Sequence, residues 1–187
     1  MPCEKIMLIR HAERPSPDKT IRGVGLSGEK DKESLTVRGW QRAGALVRYF
    51  APLGDHFAHP ALATPHVLYA CKAGPQAPSL RPQHTLLPLA DFLRGRNNAA
   101  FNRDFYEGEE KALVEAVLGA PGPAVIAWKH NTLPLIANLI LGDTSAPQSW
   151  PFSRVDMVWV FDRLSGGWTM IQVPQLLLAG DSDELFA

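Results

Sequence analysis

Arg10 and His11 stand side by side, and Arg14 follows shortly after, at the point where the apolar run Ile6-Met7-Leu8-Ile9 ends. Guanidiniums repel an imidazole whenever it is protonated, so such a cluster is best satisfied by an anion held between its members. Planar guanidiniums offer paired donors to phosphoryl oxygens, and a neutral imidazole can attack phosphorus, so a phosphate monoester suits these residues. Groups of the same kind recur beyond two later apolar runs. Ser79-Leu80-Arg81 lies beyond HVLYAC (66–71), and Lys129-His130-Asn131 directly follows PAVIAW (123–128). A second imidazole, His130, could donate to a phosphoryl oxygen while His11 attacks.

The elements that must position these groups alternate. EKIMLI (4–9), HVLYAC and PAVIAW read as buried strands, being apolar throughout and rich in β-branched or aromatic residues. Helical spacing follows each. Thr36 caps a helix with apolar residues at 37, 40, 43, 44, 47 and 50. Ser79 caps a second through LRPQHTLLPLADFL, with Pro82 in its first turn. EEKALVEAVLGA (109–120) forms a third, and Thr132 with Pro134 opens a fourth that stops at Gly142. VDMVWVFDR and WTMIQV flank Leu164-Ser165-Gly166-Gly167 as an antiparallel hairpin. The pattern predicts a three-layer α/β fold, a mainly parallel sheet with helices on both faces and an antiparallel C-terminal edge hairpin. Ligands of such sheets bind beyond the carboxyl ends of the strands, where the Arg and His groups stand.

The chain has 187 residues, 45% apolar, with formal charge zero. That length predicts one domain over 1–187, carrying a long loop at 15–35. Neutral charge excludes a global basic field for nucleic acid or an anionic membrane, so any phosphate chemistry rests on local clustering. The loop carries Lys19, Arg22, Lys30 and Lys32 against Asp18, Glu29, Asp31 and Glu33, a balance that argues against a simple anion funnel. Its attachment to the Arg-His pair suggests that it folds over the strand ends and shapes substrate choice. Cys3 and Cys71 lack metal-ligand spacing and read as free thiols. The N-terminal apolar run is too short for a signal-peptide core, and no run approaches a membrane span, so cytoplasmic residence is expected. His56 and His59 find no third ligand at a recognisable spacing, so no metal site is expected. His66 and His84 read as packing or capping residues, and the five tryptophans as packing residues.

Arg10-His11-Ala12 after the first strand, followed by Leu35-Thr36…Gly39…Gln41, Ser79-Leu80-Arg81-Pro82-Gln83-His84-Thr85 and a second His, resembles the histidine phosphatase superfamily, the phosphoglycerate-mutase-like proteins. The resemblance runs from about residue 5 to about residue 142. It implies a metal-independent phosphatase without a cofactor, acting on a small phosphorylated substrate or a phosphoprotein. His11 would become a phosphohistidine while Arg10, Arg81 and His130 hold the equatorial oxygens. Arg14-Pro15 extends the likeness toward the acid-phosphatase branch, whose second Arg also contacts phosphate. That branch carries Asp after the second His, where this chain has Asn131, and an amide cannot deliver a proton. In the mutase-like branch a Glu after the conserved Arg supplies the proton. Here the candidates are Asp104, Glu107, Glu109 and Glu110, of which Glu107, preceding the third helix, is the expected donor; Glu13 is an alternative beside the nucleophile. Ala12 replaces the family's Gly and requires a turn that a non-glycine residue tolerates. Two other readings of the same cluster are a non-catalytic phospho-ligand binding module and a phosphomutase.

Overall fold

A computed structural model describes residues 3–54 and 56–187. Ten elements follow in chain order: β1 (Lys5–Arg10), α1 (Val37–Phe50), β2 (Val67–Ala70), α2 (Arg81–Arg94), β3 (Ala100–Asn102), α3 (Glu110–Leu118), β4 (Ala124–Trp128), α4 (Leu133–Leu141), β5 (Met157–Leu164) and β6 (Gly167–Pro174). The strands form one sheet in the order β3-β2-β4-β1-β5-β6. Pairing is parallel among β3, β2, β4 and β1 and antiparallel from β1 to β5 to β6. This is the mainly parallel α/β sheet with an antiparallel C-terminal hairpin that the alternating pattern predicts.

Central strands covered on both faces must be apolar at every position, which is why β1, β2 and β4 carry no period-2 alternation. Ile6, Leu8, Tyr69, Ile126 and Trp128 face α3 and α4. Met7, Ile9, Leu68, Val125 and Ala127 face the opposite layer, where Leu46 and Phe50 of α1 meet Leu86, Leu89 and Leu93 of α2. Burying an Ile, Leu or Met side chain fully contributes about 1.5–3 kcal/mol.

Thr36 caps α1 as its sequence predicts, its hydroxyl accepting from the Gly39 amide at 3.1 Å. Gly142 ends α4 in the left-handed conformation at φ 78°. Ser79 does not cap α2: Leu80 is the capping position, its backbone is already helical and no side chain accepts there. Thr132 precedes α4 without a side-chain cap bond. Strand β3 lies outside the predicted set; three residues beside Asn97, Asn98 and Arg103 carry too little apolar signal to be read as a strand.

Between Pro15 and Leu35 the chain folds back on itself through isolated bridges joining Gly23 to Thr36 and Val24 to Lys30. Gly23 is obligatory, since a β-carbon there would lie 2.1 Å from the Asp31 carbonyl oxygen. The Leu80 amide and the Arg81 guanidinium donate to the carbonyls of Glu33 and Lys32, tying this loop to the start of α2. His84 exchanges a 2.8 Å hydrogen bond with the Ser34 hydroxyl, in keeping with a packing role. Among the described residues, no helix is long and apolar enough to cross a membrane.

Candidate active site

Parallel pairing of β1 with β4 sets Arg10 opposite Trp128, so the chain leaves both strands at the same level of the sheet. The His11 amide donates to the Trp128 carbonyl at 3.0 Å, extending the ladder by one bond and bringing His11 beside Lys129 and His130. Arg81 enters from the first turn of α2. Thr85, one turn on, accepts from the Ala12 amide at 2.9 Å and donates to the Arg81 carbonyl at 2.7 Å. Together Arg10, His11, Arg14, Ser79, Arg81, Lys129, His130 and Asn131 line a pocket of ≈ 140 Å³. Ala12 does not adopt positive φ, so the alanine in place of glycine is accommodated without strain.

His11 is 5% exposed, and its Nδ1 lies 2.8 Å from the Ala12 carbonyl oxygen. A carbonyl only accepts, so Nδ1 carries the proton and Nε2 keeps its lone pair. Burial pushes the imidazole pKa down to about 3, aided by the positive charges of Arg10 and Arg81 and by His130, against the opposing pull of the Ala12 carbonyl. The ring is therefore neutral at physiological pH, the state a nucleophile requires.

Arg10 is 2% exposed and spans two tasks. Its Nη1 donates to the carbonyls of Phe152 and Arg154, which ties the segment before β5 to the end of β1. Burial, Arg14 and Arg81 lower its pKa to about 10, which leaves it cationic at neutral pH. The Phe152 ring joins the basic groups. The Arg14 guanidinium lies 4.3 Å from its centroid, that of Arg10 5.3 Å, and the His130 ring meets it edge to face at 5.2 Å. His130 is held below its ordinary pKa by burial and then by Arg10 and Arg14.

Five buried side-chain polar atoms lack a hydrogen-bond partner among the described residues: Arg10 Nε, Ser79 Oγ, Arg81 Nε, Thr132 Oγ1 and Trp159 Nε1. Three of these belong to residues lining this pocket. Unpaired buried donors are costly, and their concentration in a cationic pocket suits an acceptor-rich anion. No carboxylate lines that pocket, and among the described residues no cluster of three or more His, Cys, Asp or Glu side chains could hold a metal ion.

The acidic candidates separate. Glu13 accepts from Arg42 and pairs with Arg38, and does not line this pocket. Glu110 is buried and accepts from the Trp128 indole, Glu109 accepts from the Tyr106 amide, and Asp104 is exposed. Glu107 reaches the rim, where its carboxylate accepts from Lys129 at 2.6 Å and from Asn131 at 2.7 Å. Burial raises its pKa, but those two partners outweigh burial and hold it below the ordinary carboxylate value. It is ionised at neutral pH and holds two residues of the pocket lining.

Ser79 and Phe152 were not among the predicted site residues. Ser79 stands next to Arg81 in the sequence but read as a cap, whereas Phe152 lies in a loop with no local feature tying it to the strand ends.

No protein-family model and no curated protein sequence matches the chain. Solved structures do. The protein histidine phosphatase SixA complexed with tungstate is 16% identical at TM-score 0.53, covering 91% of this chain and 97% of that one. An Escherichia coli structure assigned as an alpha-ribazole-5′-P phosphatase is 10% identical at TM-score 0.54, covering 91% and 96%. The fold is that of the histidine phosphatases. A histidine-to-alanine variant of phosphoserine phosphatase from Entamoeba histolytica, in complex with phosphoserine, is 12% identical at TM-score 0.50, covering 89% and 94%. The histidine phosphatase fold thus spans the chain well beyond residue 142, where the motif resemblance ends.

Proposed function

We propose that this protein is a phosphatase that hydrolyses a phosphomonoester through a phosphohistidine on His11. The observation that carries the reading is the pairing, in one pocket, of an unprotonated imidazole nitrogen with unsatisfied guanidinium and hydroxyl groups. In this mechanism the His11 Nε2 lone pair attacks phosphorus in line, the ester P–O bond breaks, and the electron pair leaves with the alcohol oxygen. Arg10, Arg14, Arg81 and His130 hold the equatorial oxygens. Water then attacks phosphorus, the P–N bond breaks, and inorganic phosphate departs with the electron pair restored to His11. Phosphoryl transfer is governed by positioning and electrostatics, and removing one well-placed donor costs about 10²–10³ in kcat. The arginines supply the positive charge, so the mechanism needs no metal. That the fold relatives are phosphatases of protein histidine, phosphoserine and a small phosphate ester supports a phosphorylated substrate. A cytoplasmic setting suits two free, buried cysteines.

Glu107 was the expected proton donor. In the observed arrangement it orients Lys129 and Asn131, so the reading favours substrates whose leaving group needs little protonation. The same observation favours the second reading, a pocket that binds phosphate without turning it over. p-Nitrophenyl phosphate separates the two. A phosphatase hydrolyses it and forms an acid-labile phosphoenzyme from labelled substrate, both lost in His11→Ala. An intact pocket that binds phosphate but leaves this ester untouched is a binding module.

A further inference from the structure

The turn that follows His11 is pinned at several points. The Ala12 amide donates to Thr85, and the Glu13 carbonyl accepts from the Thr36 amide at 3.0 Å. Helix α1 packs so closely there that a β-carbon on Gly39 would lie 2.7 Å from that carbonyl oxygen. The Glu13 carboxylate meets the guanidinium of Arg42, a residue of α1 that is 1% exposed. Every N–H of that guanidinium is engaged: Nε and Nη2 donate to Glu13, Nη1 and Nη2 to Asp181, and Nη1 to the Gln175 side chain as well. Asp181 is fixed in turn by the Leu177 and Leu178 amides. A chain of bonds thus runs from the segment after β6, through Arg42, to the residue two positions after His11. A buried ion cluster is often no more stabilising than apolar residues of the same volume, so this geometry calls for a reason besides stability.

We propose that Glu13 and Arg42 are positioning residues for His11, with Asp181 as their anchor; their part in turnover rests on reading His11 as the nucleophile. The link is a single peptide plane. The Ala12 carbonyl that accepts the Nδ1 proton of His11 belongs to the planar Ala12–Glu13 peptide, so its direction is fixed once Glu13 is fixed. Arg42 reaches both Glu13 carboxylate oxygens, and such a fork sets a direction that a point charge would not. With the carbonyl held, Nδ1 keeps the proton and Nε2 its lone pair. Without the fork the carbonyl is free to turn, and the ring can then carry its proton on either nitrogen. Glu13, Arg42 and Asp181 do not line the phosphate pocket, so they act on His11 and leave the groups that bind phosphate in place.

The test combines nitrogen-15 NMR of the His11 ring in phosphate-free buffer with p-nitrophenyl phosphate kinetics per folded molecule. It compares the wild-type chain with Glu13→Ala, Glu13→Gln, Arg42→Lys and Asp181→Ala. Val117→Ala, in the core on the sheet face opposite α1, controls for lost stability. The wild type should show one tautomer, protonated on Nδ1. Glu13→Ala, Arg42→Lys and Asp181→Ala should mix the tautomers and lower kcat at least about tenfold with KM within about twofold, against the roughly 10²-fold that a displacement of about 1 Å can cost. Glu13→Gln keeps an oxygen to accept from Arg42 and Arg38, so it should retain the tautomer and a kcat within about threefold of wild type. Val117→Ala should move neither readout. A single tautomer in Glu13→Ala and Arg42→Lys, a fall in kcat matched by Val117→Ala, or a rise in KM in place of a fall in kcat overturns the positioning role. Mixed tautomers in the variants of a protein whose wild type leaves p-nitrophenyl phosphate untouched refute the hydrolytic reading and leave the positioning standing. Hydrolysis by the wild type with the tautomer unmoved in every variant does the reverse.

Discussion

Acid should destabilise this protein through His11 in particular. Burial and neighbouring positive charge hold the folded imidazole at a pKa of about 3, against an ordinary value of 6.5 in the unfolded chain. The unfolded state therefore binds more protons between those values, and stability falls as pH drops through the unfolded pKa, continuing down until the folded ring also titrates. At pH 5 the gap to the unfolded pKa is about 1.5, which at 1.36 kcal/mol per pH unit is about 2 kcal/mol of lost stability. At pH 7.5 the loss is close to zero. Urea unfolding in phosphate-free buffer at both pH values, on the wild type and on His11→Gln, isolates this contribution because the other titrating groups are common to both proteins. The wild type should lose about 2 kcal/mol more than the variant between pH 7.5 and 5. Equal losses would mean that His11 titrates normally, and the argument for a neutral nucleophile shielded by burial and arginines would fail. An NMR titration follows the ring itself: the His11 resonances should stay still from pH 8 to pH 4.5 without phosphate. Adding inorganic phosphate should raise the pKa, because an anion at the pocket stabilises the imidazolium.

Three more outcomes follow from the same contacts. Phe152→Ala removes the ring that packs on Arg10, Arg14 and His130; at about 0.5–1 kcal/mol per cation contact, KM for p-nitrophenyl phosphate should rise about tenfold with kcat changed less, as steady-state kinetics will show. Glu107→Gln keeps an acceptor for Lys129 and Asn131 at this half-buried pair, so p-nitrophenyl phosphate turnover should stay within about threefold of wild type, the modest net worth of a hydrogen bond; a loss above tenfold confined to alkyl phosphates would identify Glu107 as the proton donor. Arg42→Met removes the buried one of the two guanidiniums shared by Glu13 and the nearly buried Asp181, leaving Arg38 at 3.3 and 3.8 Å, and urea unfolding should show a loss of about 3 kcal/mol, at the low end for breaking a buried pair. Burial pushes the Asp181 pKa up, but the hydrogen bonds from Arg42 and the Leu178 amide outweigh it and hold the carboxyl below its ordinary value. That carboxylate therefore contributes stability above its unfolded pKa, lost as pH falls through the folded one.

What the sequence made legible is what local pattern controls. Runs such as MLI and AVIAW are apolar throughout because both faces of their strands are covered, and Arg10-His11 and Lys129-His130 follow those runs directly, so their meeting at one sheet edge needed only parallel pairing. Ser79 does not cap because α2 starts at Arg81, one residue later than the ordinary hydroxyl-before-helix pattern implies, and the hydroxyl stays buried without a partner among the described residues beside the pocket. Partners distant in sequence leave no such trace. Arg42 shows up as one polar position in the amphipathic α1, yet it is 1% exposed and bonded to Asp181, 139 residues away. The same arginine explains why Glu13, two residues after His11, is directed elsewhere: it accepts from Arg42.

Neutral net charge is therefore compatible with a cationic site, because the carboxylates near it are assigned to other partners. Glu13 belongs to Arg42 and Arg38, Glu110 to the Trp128 indole, Glu107 to Lys129 and Asn131, and Asp18, Glu29 and Asp31 to their own turns. Each bond lowers the free energy of an acid where it stands and keeps it out of the pocket; burial first, and then the repulsion of Arg14 and Arg81, lowers the pKa of Arg10, with Glu13 only partly offsetting them. A phosphate dianion relieves that repulsion, whereas a protein carboxylate inside the pocket would compete with it. On the proposed reading, proton donation and phosphate binding make opposing demands on one small space, which no carboxylate lines.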